Sequence, residues 1–262
     1  MNVKLSLGFV LVCISSILFG QQRPETITKE NYYHIKRGNI GFHATRLFFD
    51  DGIFFGTSKT DTISLYNAGE KDIELRFDNI PEFLSCELMP QILKPGQEGK
   101  IAVKYDSKIK NVYGPTFDYF MMKTSDELEP TKRLITSPDI YEDFSTLTDQ
   151  QKKNAPEIKF TEHKFDFGTI EQGEEVFHVF EFMNTGKRDL IIRTTKASCG
   201  CTASELVSDV IAPGKKAEIQ VTFTSIGKKD KQKHMVTVVS NDPNNPVVIL
   251  EMKGFVEVPE KK

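Results

Sequence analysis

The chain repeats itself once. Slid against itself by 117 residues, Asn67-Ala68-Gly69 and Asp72-Ile73-Glu74-Leu75 fall on Asn184-Thr185-Gly186 and Asp189-Leu190-Ile191-Ile192. The same shift sets Phe48, Ile53 and Gly56 on Phe165, Ile170 and Gly173. At 118 residues, Glu87-Leu88 and Lys94-Pro95-Gly96 meet Glu205-Leu206 and Ala212-Pro213-Gly214, and Ile101, Val103 and Tyr105 meet Ile219, Val221 and Phe223. At 116, Thr124-Ser125-Asp126 and Pro130 meet Ser240-Asn241-Asp242 and Pro246. A period this long is a duplicated domain and not a solenoid, so one fold must be built twice.

Within the second copy the apolar period is two. Val176, His178, Phe180 and Phe182 alternate with other residues, as do Ala217, Ile219, Val221 and Phe223, which puts each set on one face of a strand. Asn184-Thr185-Gly186, Pro213-Gly214 and Asn241-Asp242-Pro243 separate the strands and offer the positive φ and fixed proline φ of tight turns. Short strands at near-regular spacing predict an all-β fold of two tandem immunoglobulin-like antiparallel β-sandwiches. The expected division is 42–142 and 157–258 for the sandwiches, 143–156 for a linker and 259–262 for a tail. In the linker, Thr148 is placed to cap one or two helical turns before Pro156. The segment 22–41 has no counterpart in the second copy and is expected to pack on the first domain through Tyr32, Tyr33 and Ile35.

Lys4 is the only charge before Arg23, and Leu5 to Phe19 is almost unbroken apolar sequence. That run is shorter than the roughly 20 residues a spanning helix needs, and Gly20 before Gln21-Gln22 gives a small residue and a polar exit. Residues 1–21 therefore read as a signal peptide, with the mature chain exported to periplasm, cell surface or medium and carrying no integral membrane span. Cys13 follows Val12, where lipid attachment would require a small residue. A net charge of −3 and a pI near 6.0 give no overall electropositive surface, so nucleic acid is not an implied partner.

Phe165-Asp166-Phe167-Gly168-Thr169-Ile170, Phe180-x-Phe182-x-Asn184-Thr185-Gly186, Ser198-Cys199-Gly200-Cys201-Thr202 and Ile211-x-Pro213-Gly214 follow in order. This set, over roughly 157–257, resembles a bacterial family of exported domains of unknown function, similar in fold to the immunoglobulin-like domains of major sperm protein and the Hydin group. The first copy carries only the skeleton. It lacks the Cys-Gly-Cys run, and Phe48-Phe49-Asp50-Asp51 departs from the Phe-x-Phe-Gly signature. The resemblance implies the fold in both copies, a cysteine site only in the second, and no reaction.

Cys199 and Cys201 are the one constellation with chemical potential. On an extended segment their side chains share a face and suit a soft ion such as Cu(I). A bond between them would be strained and redox-labile, and the third reading is two small buried hydrophobes. A structural zinc site needs four ligands, and only His178 or a partner chain could add to the pair. Cys86 falls over Ser204 and reads as a lone buried thiol. His178 and His163 carry no motif of a catalytic base. Asp50-Asp51-Gly52 and Asn241 to Asn245 suggest calcium, but Asp and Asn dominate turns for conformational reasons. No nucleophile elbow, zinc-protease helix or phosphate-cradling loop is present, and no cofactor or metal is implied. The expected function is an exported, non-enzymatic binding or structural module of the cell envelope whose partner is another envelope or secreted protein. The alternative is a thiol redox or copper-handling protein centred on Cys199 and Cys201.

Overall fold

The computed structural model describes residues 28–198, 202–206 and 208–259. The segment read as a signal peptide, Cys199 and Cys201 all lie outside the described residues.

The alternation seen in the sequence builds two sandwiches. In strand Glu98–Asp106, Ile101, Val103 and Tyr105 are fully buried while Glu98, Lys100 and Lys104 face solvent. Strand Lys216–Thr224 repeats the pattern with Ile219, Val221 and Phe223. The first sandwich has one sheet in the spatial order Ile35–Arg37, Ile40–Phe42, Ser58–Asn67, Glu98–Asp106, Leu84–Met89. Its second sheet runs Arg46–Leu47, Thr131–Thr136, Asp118–Thr124, Ile73–Phe77, Ile92–Leu93. The second sandwich pairs Ile158–Phe160, Glu175–Asn184, Lys216–Thr224 and Thr202–Leu206 in one sheet. Facing them are Lys164–Glu171, Val247–Glu257, Asp230–Ser240, Leu190–Ala197 and Val210–Ile211. Among the described strands pairing is antiparallel except in three places: Arg46–Leu47 runs parallel to Thr131–Thr136, Ile53–Phe54 to Asp139–Tyr141, and Lys164–Glu171 to Val247–Glu257.

Each sandwich closes over its own apolar cluster: Leu65, Val103, Phe120 and Leu134 in the first, Phe182, Val221, Val238 and Leu250 in the second. Full burial of such a side chain stabilises by about 1.5–3 kcal/mol, so these facing residues are the main force holding the sheets together.

The polar residues kept in both copies explain why the repeat survives. Asn67 and Asn184 are fully buried. Asn184 Nδ2 donates to Arg188 O and Ile211 O at 2.7 and 2.8 Å, and its Oδ1 accepts from Gly186 N and Glu157 N. Asn67 makes the matching bonds to Lys71 O, Leu93 O and Gly69 N. Each asparagine therefore ties a tight turn to a neighbouring strand end and satisfies backbone groups that burial would otherwise orphan. Ser107 and Ser225, also fully buried, do the same at the other end. Ser107 Oγ bridges Phe54 O and Thr57 O, and Ser225 Oγ bridges Glu171 O and Glu174 O.

Three sequence expectations need correction. Ile40 and Gly41 do have counterparts, since Ile40 faces Asn67 in the register in which Ile158 faces Asn184. The pattern was hidden because only three residues pair there and Gly41 stands where Lys159 does. Phe48 is not the equivalent of Phe165. Phe48 is exposed, whereas Leu47, Phe49 and Ile53 point inward as Phe165, Phe167 and Ile170 do. Phe49 at φ 57° and Asp51 at φ 65° let the chain turn where the second copy uses Gly168 at φ 70°. Gly186 does not supply a positive φ. A Cβ there would stand 2.4 Å from both Ala155 O and Glu157 N, so it serves close backbone approach, whereas Gly96 and Gly214 take the left-handed conformation at 71° and 74°.

The segment before the first sandwich forms helix Lys29–Tyr32, capped by Thr28, and lays Tyr33 against Tyr66 at 4.8 Å between ring centroids. Between the sandwiches, Thr148 and Gln151 form a reciprocal capping box on helix Asp149–Lys153. The far end of the first sandwich, a small sheet of Gly114–Pro115, Asp139–Tyr141 and Ile53–Phe54, rests on the outer face of the second. Gly114 sits against Val239 and Thr194, where a Cβ would be 3.1 and 3.2 Å from their methyl groups. Lys196 Nζ donates to Pro115 O at 2.7 Å, and Arg193 Nε and Nη2 both donate to Glu142 Oε2.

Candidate functional site

The described residues that flank Cys199-Gly200-Cys201 belong to opposite sheets. Ser198 follows strand Leu190–Ala197, where its N–H donates to Met235 O and its Oγ accepts from Met235 N. Thr202 begins the edge strand Thr202–Leu206 and faces Phe223 across the other sheet. Ser198 and Thr202 thus stand on the two layers at one end of the second sandwich. His234 stands at that end, 7% exposed and stacked on Phe223 with ring centroids 4.3 Å apart. Burial, helped by the charge of Lys228, pushes its pKa below the ordinary histidine value, so the imidazole is neutral at pH 7. The sequence reading overlooked His234; the signal available was its placement among the alternating apolar residues of strand Asp230–Ser240.

His178 is accounted for otherwise. Its ring lies on Phe165 at 3.7 Å and 8° between planes, and its Nε2 is 2.9 Å from Glu162 Oε1. Cys86 is a half-buried free thiol in strand Leu84–Met89, opposite Val103 as Ser204 is opposite Val221. Burial pushes its pKa up to about 12, which leaves little thiolate for reaction. At Asp50-Asp51-Gly52 the Lys59 ammonium donates to the carbonyls of Asp50 and Gly52, so a lysine occupies the position a cation would take. Asp242 is fully buried, and its carboxylate accepts from Ile158 N and Asn244 N. Its counterpart Asp126 accepts from Asn39 N and Leu128 N and pairs with the fully buried Lys132 at 2.6 Å. Burial alone would raise the Asp126 pKa, but the Lys132 hydrogen bond and the two backbone N–H groups outweigh it and hold the carboxyl below the usual range. Among the described residues no three His, Cys, Asp or Glu side chains gather as metal ligands, and no described helix is long and apolar enough to cross a membrane.

What the first sandwich offers instead is a face. On the outside of its second sheet, Tyr119 faces Ile135, Ile135 faces Arg46, and Met121 faces Arg133. The Arg46 guanidinium lies 4.7 Å from the Phe48 ring and 5.2 Å from Phe117, and donates to Ser137 Oγ. Arg133 covers Tyr119 at 4.5 Å. Phe48, Phe117 and Tyr119 remain 57, 55 and 56% exposed, beyond what packing in their own domain requires. Lys123 and Arg76 extend the positive charge along the same face. Among the described residues, Arg46, Arg133 and Lys123 have no carboxylate within 4 Å. Exposed aromatics stacked with arginine are the composition that distinguishes the centre of protein–protein interfaces from ordinary surface.

A family model described as "Protein of unknown function (DUF1573)" matches residues 158–256, the second sandwich. No curated protein matches the chain. Among solved structures, a protein of unknown function from Porphyromonas gingivalis W83 is similar with a TM-score of 0.66 and 15% identity, covering 83% of this chain and 100% of that one. Weaker likenesses are to the ASH / PapD-like domain 7 of human CEP192, at TM-score 0.34, 14% identity and coverage of 46% and 99%, and to the periplasmic chaperone SfaE, at 0.31, 12% and coverage of 83% and 100%. The likeness to the Porphyromonas gingivalis protein is one of fold alone, and at 83% of this chain it spans more than either sandwich does, so the tandem architecture itself is shared.

Proposed function

We propose that the chain is an exported, non-enzymatic binding module of the bacterial cell envelope, in which the first sandwich presents Arg46, Phe48, Phe117, Tyr119 and Arg133 to a protein partner. The observation that carries this reading is that face: three large rings and two arginines lie open on a sheet whose other side already fills the core. Export rests on the apolar run from Leu5 to Phe19 with its polar exit at Gln21. The test expresses the full chain in a bacterial host, measures the mass of the fractionated product, and compares capture by wild type with capture by an Arg46→Glu, Tyr119→Ala, Arg133→Glu variant. Removal of the leader and a partner lost only from the variant support the reading. An uncleaved cytosolic product, or capture indifferent to the face, refutes it.

A thiol redox or copper-handling role is the second reading, favoured by His234: the neutral imidazole stands at the end of the sandwich where Ser198 and Thr202 lead into the Cys-Gly-Cys run. It requires thiols that alkylate readily in the folded exported protein or bind copper, and a Cys199→Ser variant that loses either property. Thiols inert until denaturation, with no metal bound, refute it.

A further inference from the structure

We infer that the partner of the basic aromatic face is a second copy of this chain, docked through the acidic outer face of its second sandwich. The inference rests on the binding-module reading and names one partner for it.

On the outside of the sheet formed by Glu175–Asn184 and Lys216–Thr224, Glu181 stands directly opposite Glu218 in antiparallel register. Both are exposed, and among the described residues neither has a cation within 4 Å. Directly opposed like charges destabilise a sheet, and a cationic partner removes that cost. Along the same strand, Phe177 is 59% exposed, and Val179 and Met183 complete an apolar row beside the carboxylates. Lys159 and Lys216 flank Met183 and close off the acidic stretch at one end. The first sandwich offers the complement: unpaired Arg46 and Arg133 set among Phe48, Phe117, Tyr119, Met121 and Ile135. Each face carries apolar side chains to bury and one pair of like charges, Arg46 with Arg133 and Glu181 with Glu218, that have no ion partner within 4 Å among the described residues, and the two pairs are opposite in sign. Complementary potentials of this kind orient association and reject like-charged surfaces.

Because the two faces lie on different sandwiches, the contact is head to tail. It closes into a ring if the angle between sandwiches permits and otherwise extends as an open chain. An exported module of this design would build an array and not merely occupy a site.

Sedimentation velocity of the exported protein, from micromolar to near-millimolar concentration at low and high salt, tests the inference. The sedimentation coefficient should rise with concentration and the rise should shrink with salt. Arg46→Glu with Arg133→Glu should weaken self-association about tenfold or more, as should Glu181→Lys with Glu218→Lys. An equimolar mixture of the two variants should associate again, because each then offers the other an opposite charge. Far-UV circular dichroism checks that the variants keep their fold, and all four positions are exposed. A monomer at every concentration, association unchanged by either reversal, or no recovery on mixing overturns the inference. If self-association fails while the Arg46 face still captures another protein, the binding-module reading stands and only the second copy is excluded as its partner. If both fail, both fall.

Discussion

Replacing Asp126 by alanine should unfold the first sandwich well before the second. The carboxylate sits where its Oδ2 accepts from Asn39 N and Lys132 Nζ and its Oδ1 from Asn39 Nδ2 and Leu128 N. Without it, a fully buried ammonium keeps only the Glu129 carbonyl, and two backbone N–H groups lose their acceptor. Breaking a buried pair from one side costs about 3–5 kcal/mol, a large part of the 5–15 kcal/mol of a typical domain. Lys132→Val should cost less, about 2 kcal/mol at most, because the carboxylate keeps its N–H donors. The second sandwich already shows this arrangement: Val248 stands opposite Val238 as Lys132 stands opposite Met122, with Asp242 buried nearby. All seven tyrosines lie at or before Tyr141 and there is no tryptophan, so tyrosine fluorescence in urea follows the first sandwich while far-UV circular dichroism follows both. Since the folded pKa of Asp126 is lowered, its contribution is present above the unfolded value, about 3.9, and is lost as pH falls through the folded value. Asp126→Ala should flatten that acid limb. If Lys132→Val destabilises as much as Asp126→Ala, or if both sandwiches shift together, the carboxylate is not the hub.

Asn184→Ala should lower the stability of the second sandwich by about 3 kcal/mol, through the unmet Arg188 and Ile211 carbonyls, and leave the tyrosine transition in place; Asn67→Ala should do the converse. Gly186→Ala should cost more than Gly214→Ala in urea unfolding, because the first meets backbone at 2.4 Å whereas the second pays only the left-handed strain of about 1 kcal/mol in open space. Cys86 should alkylate at pH 8 no faster than the first sandwich opens, and labelling at the rate of a free thiol would contradict its raised pKa.

The strands were legible because burial on one face writes period two into the sequence, and the duplication was legible because Asn67 and Asn184 hold equivalent turns by equivalent bonds. The one-residue slip at Phe48 shows where that legibility stops. Two adjacent phenylalanines give period-two reading no way to choose which points inward, and the choice is made by Phe49 taking a positive φ that no sequence pattern announces. The basic aromatic face was invisible for a related reason. Arg46, Phe117, Tyr119 and Arg133 come from three segments, and they become one surface only when the parallel strand Arg46–Leu47 joins Thr131–Thr136. Cys199 and Cys201 were conspicuous as a motif and lie outside the described residues; what the fold adds is that their described neighbours Ser198 and Thr202 stand on opposite layers, with His234 at the same end.

The differences between the copies fall where the conserved bonds do not. Asn67, Ser107 and Asp126 have counterparts that do the same work, so divergence at those points would cost each domain its turns. Divergence is free on the outer faces: Ser64 stands opposite Lys100 in the first copy where Glu181 stands opposite Glu218 in the second, and the second copy has Ile249 and Met235 where the first has Arg133 and Tyr119. It is free also at the far end of the first sandwich, where Gly114 lets the backbone lie against Val239 and Glu142 meets Arg193. Val239 is almost fully buried although it points away from the core of its own domain, so the two sandwiches cover one another there. A duplicated domain whose variation falls on one internal contact and on its outer faces keeps the turns of both copies intact while their surfaces come to differ.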